Sequence, residues 1–415
     1  MNRKRFESTL EALNQFGYSK TGINRLAYSV EELAATRYLM ELFESEGMDV
    51  RMDAVGNVIA RRPGNNPELA AVACGSHIDS VYEAGNYDGT VGVIAALEVV
   101  RSLNDEAIET EHPIEIIIFA CEESARFGYS TLGSKAMAGL LEKEQLTNLQ
   151  DKNGISMETS FLECGLRLEK FQESKREKGE LEVFLELHIE QGPVLEREGK
   201  QIGIVTGIAG PTRFKLGVYG KASHSGTTPM NHRRDALLGA AEIALKLEEV
   251  AIREASSGTV ATVGVFDVKP GAMNIVPGMV EMEIDIRSVS QESKKRVVQE
   301  LEYAIREAER KRELTIMKTE LIDQSPVKLD RDVMCRLQET CEKYGYSYMY
   351  MTSGAGHDAM NMATLCPTAL IFIPSKDGLS HNPDEYTSLD QISVGVEVLK
   401  AELLKASKAT EKIVR

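Results

Sequence analysis

No run in this 415-residue chain is apolar for long enough to cross a bilayer as a helix. The longest such run, TVGVIAALEVV, is about a third too short and carries Glu98. No CxxC pair occurs among the six cysteines, Cys74, Cys121, Cys164, Cys335, Cys341 and Cys366. Scattered cysteine is the usage of a reducing compartment, where the residue is mostly a small buried hydrophobe. There is no surplus of positive charge: 48 Lys and Arg face 64 Asp and Glu, a formal charge of −16. An acidic surface of that size repels phosphate backbones and anionic lipid, so neither nucleic acid nor membrane is an expected partner. A small anionic substrate would need its own local cluster of Arg or His. The opening MNRKRFESTLEALNQFG is basic only briefly, then amphipathic with Glu7 and Glu11, unlike a secretory leader. The cytosol is the expected location. Internal repeats and low-complexity tracts are also missing.

What is present is the composition of a globular protein, 42% apolar and 27% charged. PELAAVACGSHIDS, HPIEIIIFACEES, ELEVFLELHIEQG and CPTALIFIPSKDGLSHN each read as an apolar, β-branched strand ending in a polar cluster. DGTVGVIAALEVVRSL between the first two reads as a helix. Strands buried on both faces and separated by helices indicate a largely parallel α/β sheet. From 212 to 327 the pattern changes to strand, long helix, two strands around a Gly/Pro-rich hairpin, charged helix and strand. That β-α-β-β-α-β order suggests a ferredoxin-like α+β sandwich. The expected architecture is a catalytic domain over 1–211 and 328–415, interrupted by an inserted lid or dimerisation domain over 212–327.

Five segments concentrate metal-type ligands, and four of them directly follow a strand. They hold His77 with Asp79, Asp88, Glu122 with Glu123, His188, and His381. Each residue has an ordinary explanation: Asp88 as a helix N-cap, a histidine as a hydrogen-bonding group, a Glu-Glu pair as surface charge. Like charges placed just beyond apolar strands and beside histidines are costly without cations, however. Coordination chemistry then suggests a division of labour. Asp88 bridges two ions, one bound by His77 and His188 and the other by Glu123 and His381. Imidazole with carboxylate suits zinc or manganese, with cobalt or nickel as substitutes. Ions about 3.5–4 Å apart can share a water and lower its pKa from about 15.7 toward neutrality, so a bridging hydroxide is the expected nucleophile. Asp79 is placed to fix the His77 tautomer, which leaves Glu122 as general base and acid.

GSHIDS, YDGTVG, CEESARF, ELHIEQGPVLE, GKASHSGTTPMNHRRDA, NIVPGMVEMEIDIRS, SGAGHDAM and IPSKDGLSHNPDE together resemble the amidase/hydantoinase/carbamoylase group of dinuclear metallohydrolases. The group includes N-carbamoyl-L-amino acid hydrolase, allantoate amidohydrolase and β-ureidopropionase, and is related to aminoacylase-like metallopeptidases. The resemblance runs through nearly the whole chain in the family's order. It implies that His77, Asp88, Glu123, His188 and His381 are the metal ligands, Glu122 the base and Asp79 its supporting aspartate. It also implies that His224 polarises the scissile carbonyl, that Asn274 and Arg287 hold the substrate with Arg287 on its carboxylate, and that members are homodimers through the inserted domain. A guanidinium is the best bidentate clamp for a carboxylate. Gln191, Gly356 and His357 are read as pocket-lining and Arg213 as a second cation. Gly192 and Gly356 have an equal explanation as tight turns. His112 and His232 match no ligand position, and Cys121 is expected to be inert.

The expected activity is hydrolysis of a linear ureido C–N bond in a small carboxylate-bearing substrate, with an N-carbamoyl-L-amino acid first. Allantoate, toward which Arg213 leans, is the alternative. An aminoacylase or dipeptidase, and a non-catalytic binding protein on the same scaffold, are further readings.

Overall fold

A computed structural model describes residues 1–410. The chain divides into two compact units, one of Met1–Thr206, Leu329–Met351 and Gly356–Arg415, the other of Gly207–Lys328 and Thr352–Ala355.

In the first unit the apolar runs become the middle of a sheet. Across it lie Ile202–Ile208, Thr368–Ile373, Leu181–Ile189, Ala71–His77, Ile114–Phe119, Val58–Arg62 and Asp49–Met52, in that order. The sheet is parallel at its centre, through the four strands from Thr368–Ile373 to Ile114–Phe119, and antiparallel toward both edges. One edge is antiparallel because its two strands form a hairpin, closed by Asp53 Oδ1, which accepts the N–H groups of Val55 and Asn57. Asp49–Met52 alternates exposed and half-buried residues as an edge strand should. Every residue of Ala71–His77, Ile114–Phe119 and Thr368–Ile373 is buried. Such strands need cover on both faces. One cover is the helix Thr90–Asp105, buried continuously from Thr90 to Leu103, with Leu389–Ala406 packed beside it. A separate apolar cluster around Tyr28, Val55, Phe127, Leu132 and Phe161 supports the segment that follows Phe119.

The second unit has four antiparallel strands in the order Val260–Lys269, Met279–Ser288, Gly210–Tyr219, Thr315–Asp323. The helices Ala236–Glu254 and Gln291–Arg312 supply Ala240, Ile243, Leu247, Val297 and Leu301 to one face, against Phe214, Leu216, Val218, Met282, Ile284 and Ile286. In Met279–Ser288 the even-numbered residues are the buried ones. The period of two therefore sends Glu281, Glu283, Asp285 and Arg287 to the opposite face. Among the described residues no helix is long and apolar enough to cross a membrane.

Candidate metal centre

The carboxyl ends of the four parallel strands all lie on one side of the sheet, where open α/β folds hold ligands. His77 is the last residue of its strand, and His188 is the next to last of the neighbouring one. Glu122 and Glu123 follow Phe119 after a short turn through Cys121, whose φ is +52°. His381 lies in the loop after Ile373 with a φ of +54°, a left-handed conformation that a histidine holds only when its surroundings enforce it.

Asp88 is not an N-cap. The helix starts from Gly89, which has a φ of +66° and makes no side-chain cap bond. The Asp88 carboxylate points instead at two imidazoles, with Oδ1 3.1 Å from His188 Nε2 and Oδ2 3.1 Å from His381 Nε2. His381 Nε2 is also 3.1 Å from Glu123 Oε1. Three groups of potential ligand atoms are each gathered within 4.8 Å: Glu186, His188 and His357, and two that meet at one carboxylate, namely His77, Asp88 and His188, and Asp88, Glu123 and His381. Glu122 stands beside them, with Oε2 3.8 Å from His77 Nε2.

The donor chemistry fits cations. His188 Nδ1 bonds to the Ile189 carbonyl at 2.9 Å, and Nε2 accepts the Gly89 N–H at 3.3 Å. With Nδ1 donating to that carbonyl, Nε2 carries no proton of its own, and two acceptors 3.1 Å apart, Nε2 and Asp88 Oδ1, call for a proton or a cation between them. His77 is set the same way, Nδ1 bonding to the Asp79 carbonyl at 2.9 Å. Among the described residues, only histidines form ion pairs with Asp88, Glu122 or Glu123.

The electrostatics tell the same story. Hydrogen bonds to Asp88 and Glu123 lift His381 to about 11. Burial alone would depress His77, but Glu122, Asp79 and Asp88 outweigh it and leave it well above its usual value. Burial, augmented by Glu123, Asp358 and Asp79 against the pull of His77, drives Glu122 well above the carboxylate range. Burial would raise Asp88 too, but its bonds to His188 and His381 hold it well below. Protons are drawn to the positions that cations would neutralise.

Asp79 faces His77 Nδ1 with both its backbone carbonyl and its carboxylate. Its carboxylate is 3.6 Å from His77 Nδ1, and the tautomer is set by its backbone carbonyl. The side chain also accepts the N–H groups of Glu122 at 3.1 Å and Glu123 at 2.9 Å, fixing the turn that carries both. Gln191, in the left-handed region at φ +58°, places Nε2 3.2 and 3.1 Å from the two Asp88 oxygens. The His357 ring is buried and packs edge-on against His188, centroids 4.6 Å apart, and so props that ring. Gly356 has no positive φ, and a side chain there would meet only Met360 Sδ at 3.8 Å, so a tight turn does not explain it. Burial raises the Cys121 thiol well above its usual value, which keeps it inert. His112 is buried and bonded to the Ala70 carbonyl.

Three acidic residues escaped the sequence reading. Glu385 is buried against the Asp88 loop, and burial with the Asp88 charge raises it to about 7. Glu186 lies two residues before His188 on the same strand face and bonds Ser76 and the Ala359 N–H. Asp358 bonds Ser134 at 2.5 Å. The period-two alternation could have flagged Glu186.

The second unit carries its own set. Ser223–His224 pairs with Ile275–Val276, and the Ser225 N–H bonds to the Asn274 carbonyl, which brings His224 and Asn274 together on one ribbon. His224 is exposed, and its Nδ1 accepts the Gly226 N–H at 3.0 Å, so the neutral ring carries its proton on Nε2, free to donate. Asp285 lies between Arg213 and Arg287, 3.3 Å from Arg213 Nη2, 3.1 Å from Arg287 Nε and 3.0 Å from Arg287 Nη2.

Comparison with known proteins gives a consistent family. A model described as Peptidase family M20/M25/M40 matches residues 73–405. An uncharacterised hydrolase of Haemophilus influenzae is 43% identical, covering 98% of both chains. The N-carbamoyl-L-amino acid amidohydrolase of Geobacillus stearothermophilus is 39% identical over 91% of this chain and 92% of its own. The allantoate amidohydrolase of Escherichia coli is 35% identical over 96% of each. Among solved structures, a hydantoinase/carbamoylase family amidase from Burkholderia multivorans superposes with a TM-score of 0.91 at 33% identity, covering 98% of each chain.

Proposed function

The chain belongs to peptidase family M20/M25/M40, and from that membership we propose a dinuclear amidohydrolase that cleaves a linear ureido C–N bond, with an N-carbamoyl-L-amino acid as substrate. The observation that carries this reading is the pair of ligand groups joined through Asp88. His77 and His188 would hold one divalent cation, Glu123 and His381 the other, and Asp88 both. Zinc or manganese suits these donors, and when bound the pair supplies Lewis acidity toward a water and the scissile carbonyl.

The protein groups do the rest. Glu122, buried beside His77, takes a proton from the attacking water and delivers it to the departing nitrogen. The environment that raises its proton affinity suits a group that must carry a proton between two steps. His224 donates from Nε2 to the carbonyl oxygen as negative charge develops there; one such donor typically contributes about 2.7–4 kcal/mol. Arg287 binds the substrate carboxylate and Asn274 a neighbouring polar group. Gln191 and Gly356 line the pocket, and His357 supports it from behind His188. For an N-carbamoyl amino acid the products are the amino acid, ammonia and carbon dioxide.

The second unit is also taken to join two copies of the chain. Its edge strand exposes Val260, Val265 and Phe266, and its helix exposes Leu238, Leu245 and Ile252, more apolar surface than a free edge usually carries.

A second reading, allantoate as substrate, is favoured by Arg213, which shares Asp285 with Arg287 and adds a cation to the same strand pair. A panel of N-carbamoyl amino acids, allantoate and N-acetyl amino acids, assayed for ammonia or amine release, separates the readings. The proposal expects the highest kcat/KM on an N-carbamoyl-L-amino acid. Turnover confined to N-acetyl substrates would overturn it.

A further inference from the structure

Glu385 has no role in the chemistry above, yet it is the side chain that joins the two loops carrying the ligands. The residue is 3% exposed. Oε1 accepts two consecutive backbone N–H groups, from Tyr87 at 2.8 Å and from Asp88 at 3.0 Å. Oε2 accepts the hydroxyl of Ser380 at 2.8 Å. Ser380 immediately precedes His381, and its Oγ also lies 3.3 Å from Asp88 Oδ2. One carboxylate thus grips the backbone of the shared ligand and the neighbour of a second ligand 293 positions later in the sequence (381 − 88).

The surroundings are shaped to admit it. A Cβ on Gly85 would lie 2.3 Å from Glu385 Cβ and 2.6 Å from Oε1, so only glycine leaves room there. Burying this carboxylate near Asp88 is electrostatically unfavourable, and among the described residues no Lys or Arg is paired with it. A neutral side chain would avoid that penalty, but an aliphatic one would leave two buried amides and a hydroxyl without an acceptor.

We propose that Glu385 is a positioning residue that sets the geometry of the bridging aspartate and couples the Asp88 loop to the His381 loop. The proposal rests on the reading of Asp88 as a bridge between two cations. It makes an asymmetric demand. Glu385 holds Asp88, common to both ligand groups, but through Ser380 it also holds His381, which belongs to only one. Its loss should weaken both cation sites, and the site of Glu123 and His381 more.

The test uses the zinc-loaded full-length enzyme, measuring zinc per subunit and the two zinc affinities by chelator competition. Outer partners of metal ligands typically change affinity by about 10–100-fold. Glu385→Ala should lose affinity at both sites, by a factor in that range at the site of Glu123 and His381 and by a smaller one at the site of His77 and His188. Glu385→Gln should hold both zincs within about threefold, because its Oε1 still accepts both amides and its Nε2 can donate to Ser380. Ser380→Ala, the milder truncation for use if Glu385→Ala does not fold, should weaken the site of Glu123 and His381 more than the site of His77 and His188. Two zincs bound as tightly in Glu385→Ala as in the parent would overturn the proposal. So would equal losses in Glu385→Gln and Glu385→Ala, which would make the charge and not the positioning decisive, or, where Glu385→Ala does not fold, a Ser380→Ala enzyme with both affinities intact. Asp88→Asn provides the reference: two tight zincs in that variant would mean that the bridge itself, and not Glu385, had been misread.

Discussion

Replacing Gly89 by alanine perturbs the centre with a single methyl group. Gly89 has a φ of +66° and a ψ of −47°, outside the left-handed helical well, a conformation that costs an L side chain roughly 1–3 kcal/mol. The added Cβ would lie 2.5 Å from both Cε1 and Nε2 of His77. Ordinary contact begins near 3.4 Å, so the ring or the turn must yield by 3.4 − 2.5 = 0.9 Å. Ligand distances in a metal site tolerate only about 0.2 Å, and the strand carrying His77 is hydrogen-bonded on both sides and buried throughout, so little of the shift can be absorbed there. Overpacking of this kind adds about 1–3 kcal/mol. Gly89→Ala should therefore lose about 2–6 kcal/mol of stability and bind zinc at the His77 site at least about tenfold more weakly, the lower end of what disturbed ligand support usually costs. Denaturant unfolding gives the first quantity and chelator competition the second. A Gly89→Ala protein with parental stability and both zincs would refute the argument that His77 and the Asp88 turn are locked together.

Other substitutions address the chemistry. Glu122→Gln should retain metal yet lose about 10²–10⁴-fold in kcat, and near-parental turnover would remove Glu122 from the proton transfer. Arg287→Lys loses the fork and, at about 1.5–3 kcal/mol for a charged hydrogen bond, should lower kcat/KM some 10–100-fold for a free carboxylate and little for its ester; equal losses would argue against the clamp. Burial, with the charge of Asp79, raises Glu32 to about 8, so between roughly pH 4.3, its unfolded value, and 8 the folded state binds the extra proton and stability falls as pH rises. Glu32→Gln should remove that dependence, at most about 1.4 kcal/mol per pH unit, and parallel stability curves for the two proteins across pH 5–8 would contradict it. Light scattering should report a dimer for the parent and a shift toward monomer for Leu245→Glu with Ile252→Glu; an unchanged mass would move the interface elsewhere.

How much of this was legible in the sequence follows from the range of each interaction. Strands such as HPIEIIIFACEES announced themselves because burial on both faces demands an unbroken apolar run, and the polar residues after them had to emerge at the carboxyl edge. The antiparallel edges were harder, because Asp49–Met52 is short and half-exposed and its partner is fixed by a turn, not by apolarity. Spacing could place Asp79 near His77 but could not decide between its carbonyl and its carboxylate, since that depends on where the 122–123 amides fall. The Glu385 contact with Asp88 spans 297 positions, and nothing local distinguishes that glutamate from a solvated one. His357, expected at the pocket wall, packs behind His188 because the sheet brings Phe372 and His188 side by side.

Anomalous diffraction at the zinc edge from crystals of the zinc-loaded protein tests the centre itself. Two peaks about 3.5–4 Å apart, one reached by His77 and His188, the other by Glu123 and His381, with Asp88 touching both, are the result this account requires. A single peak, or two peaks that do not share Asp88, would contradict it.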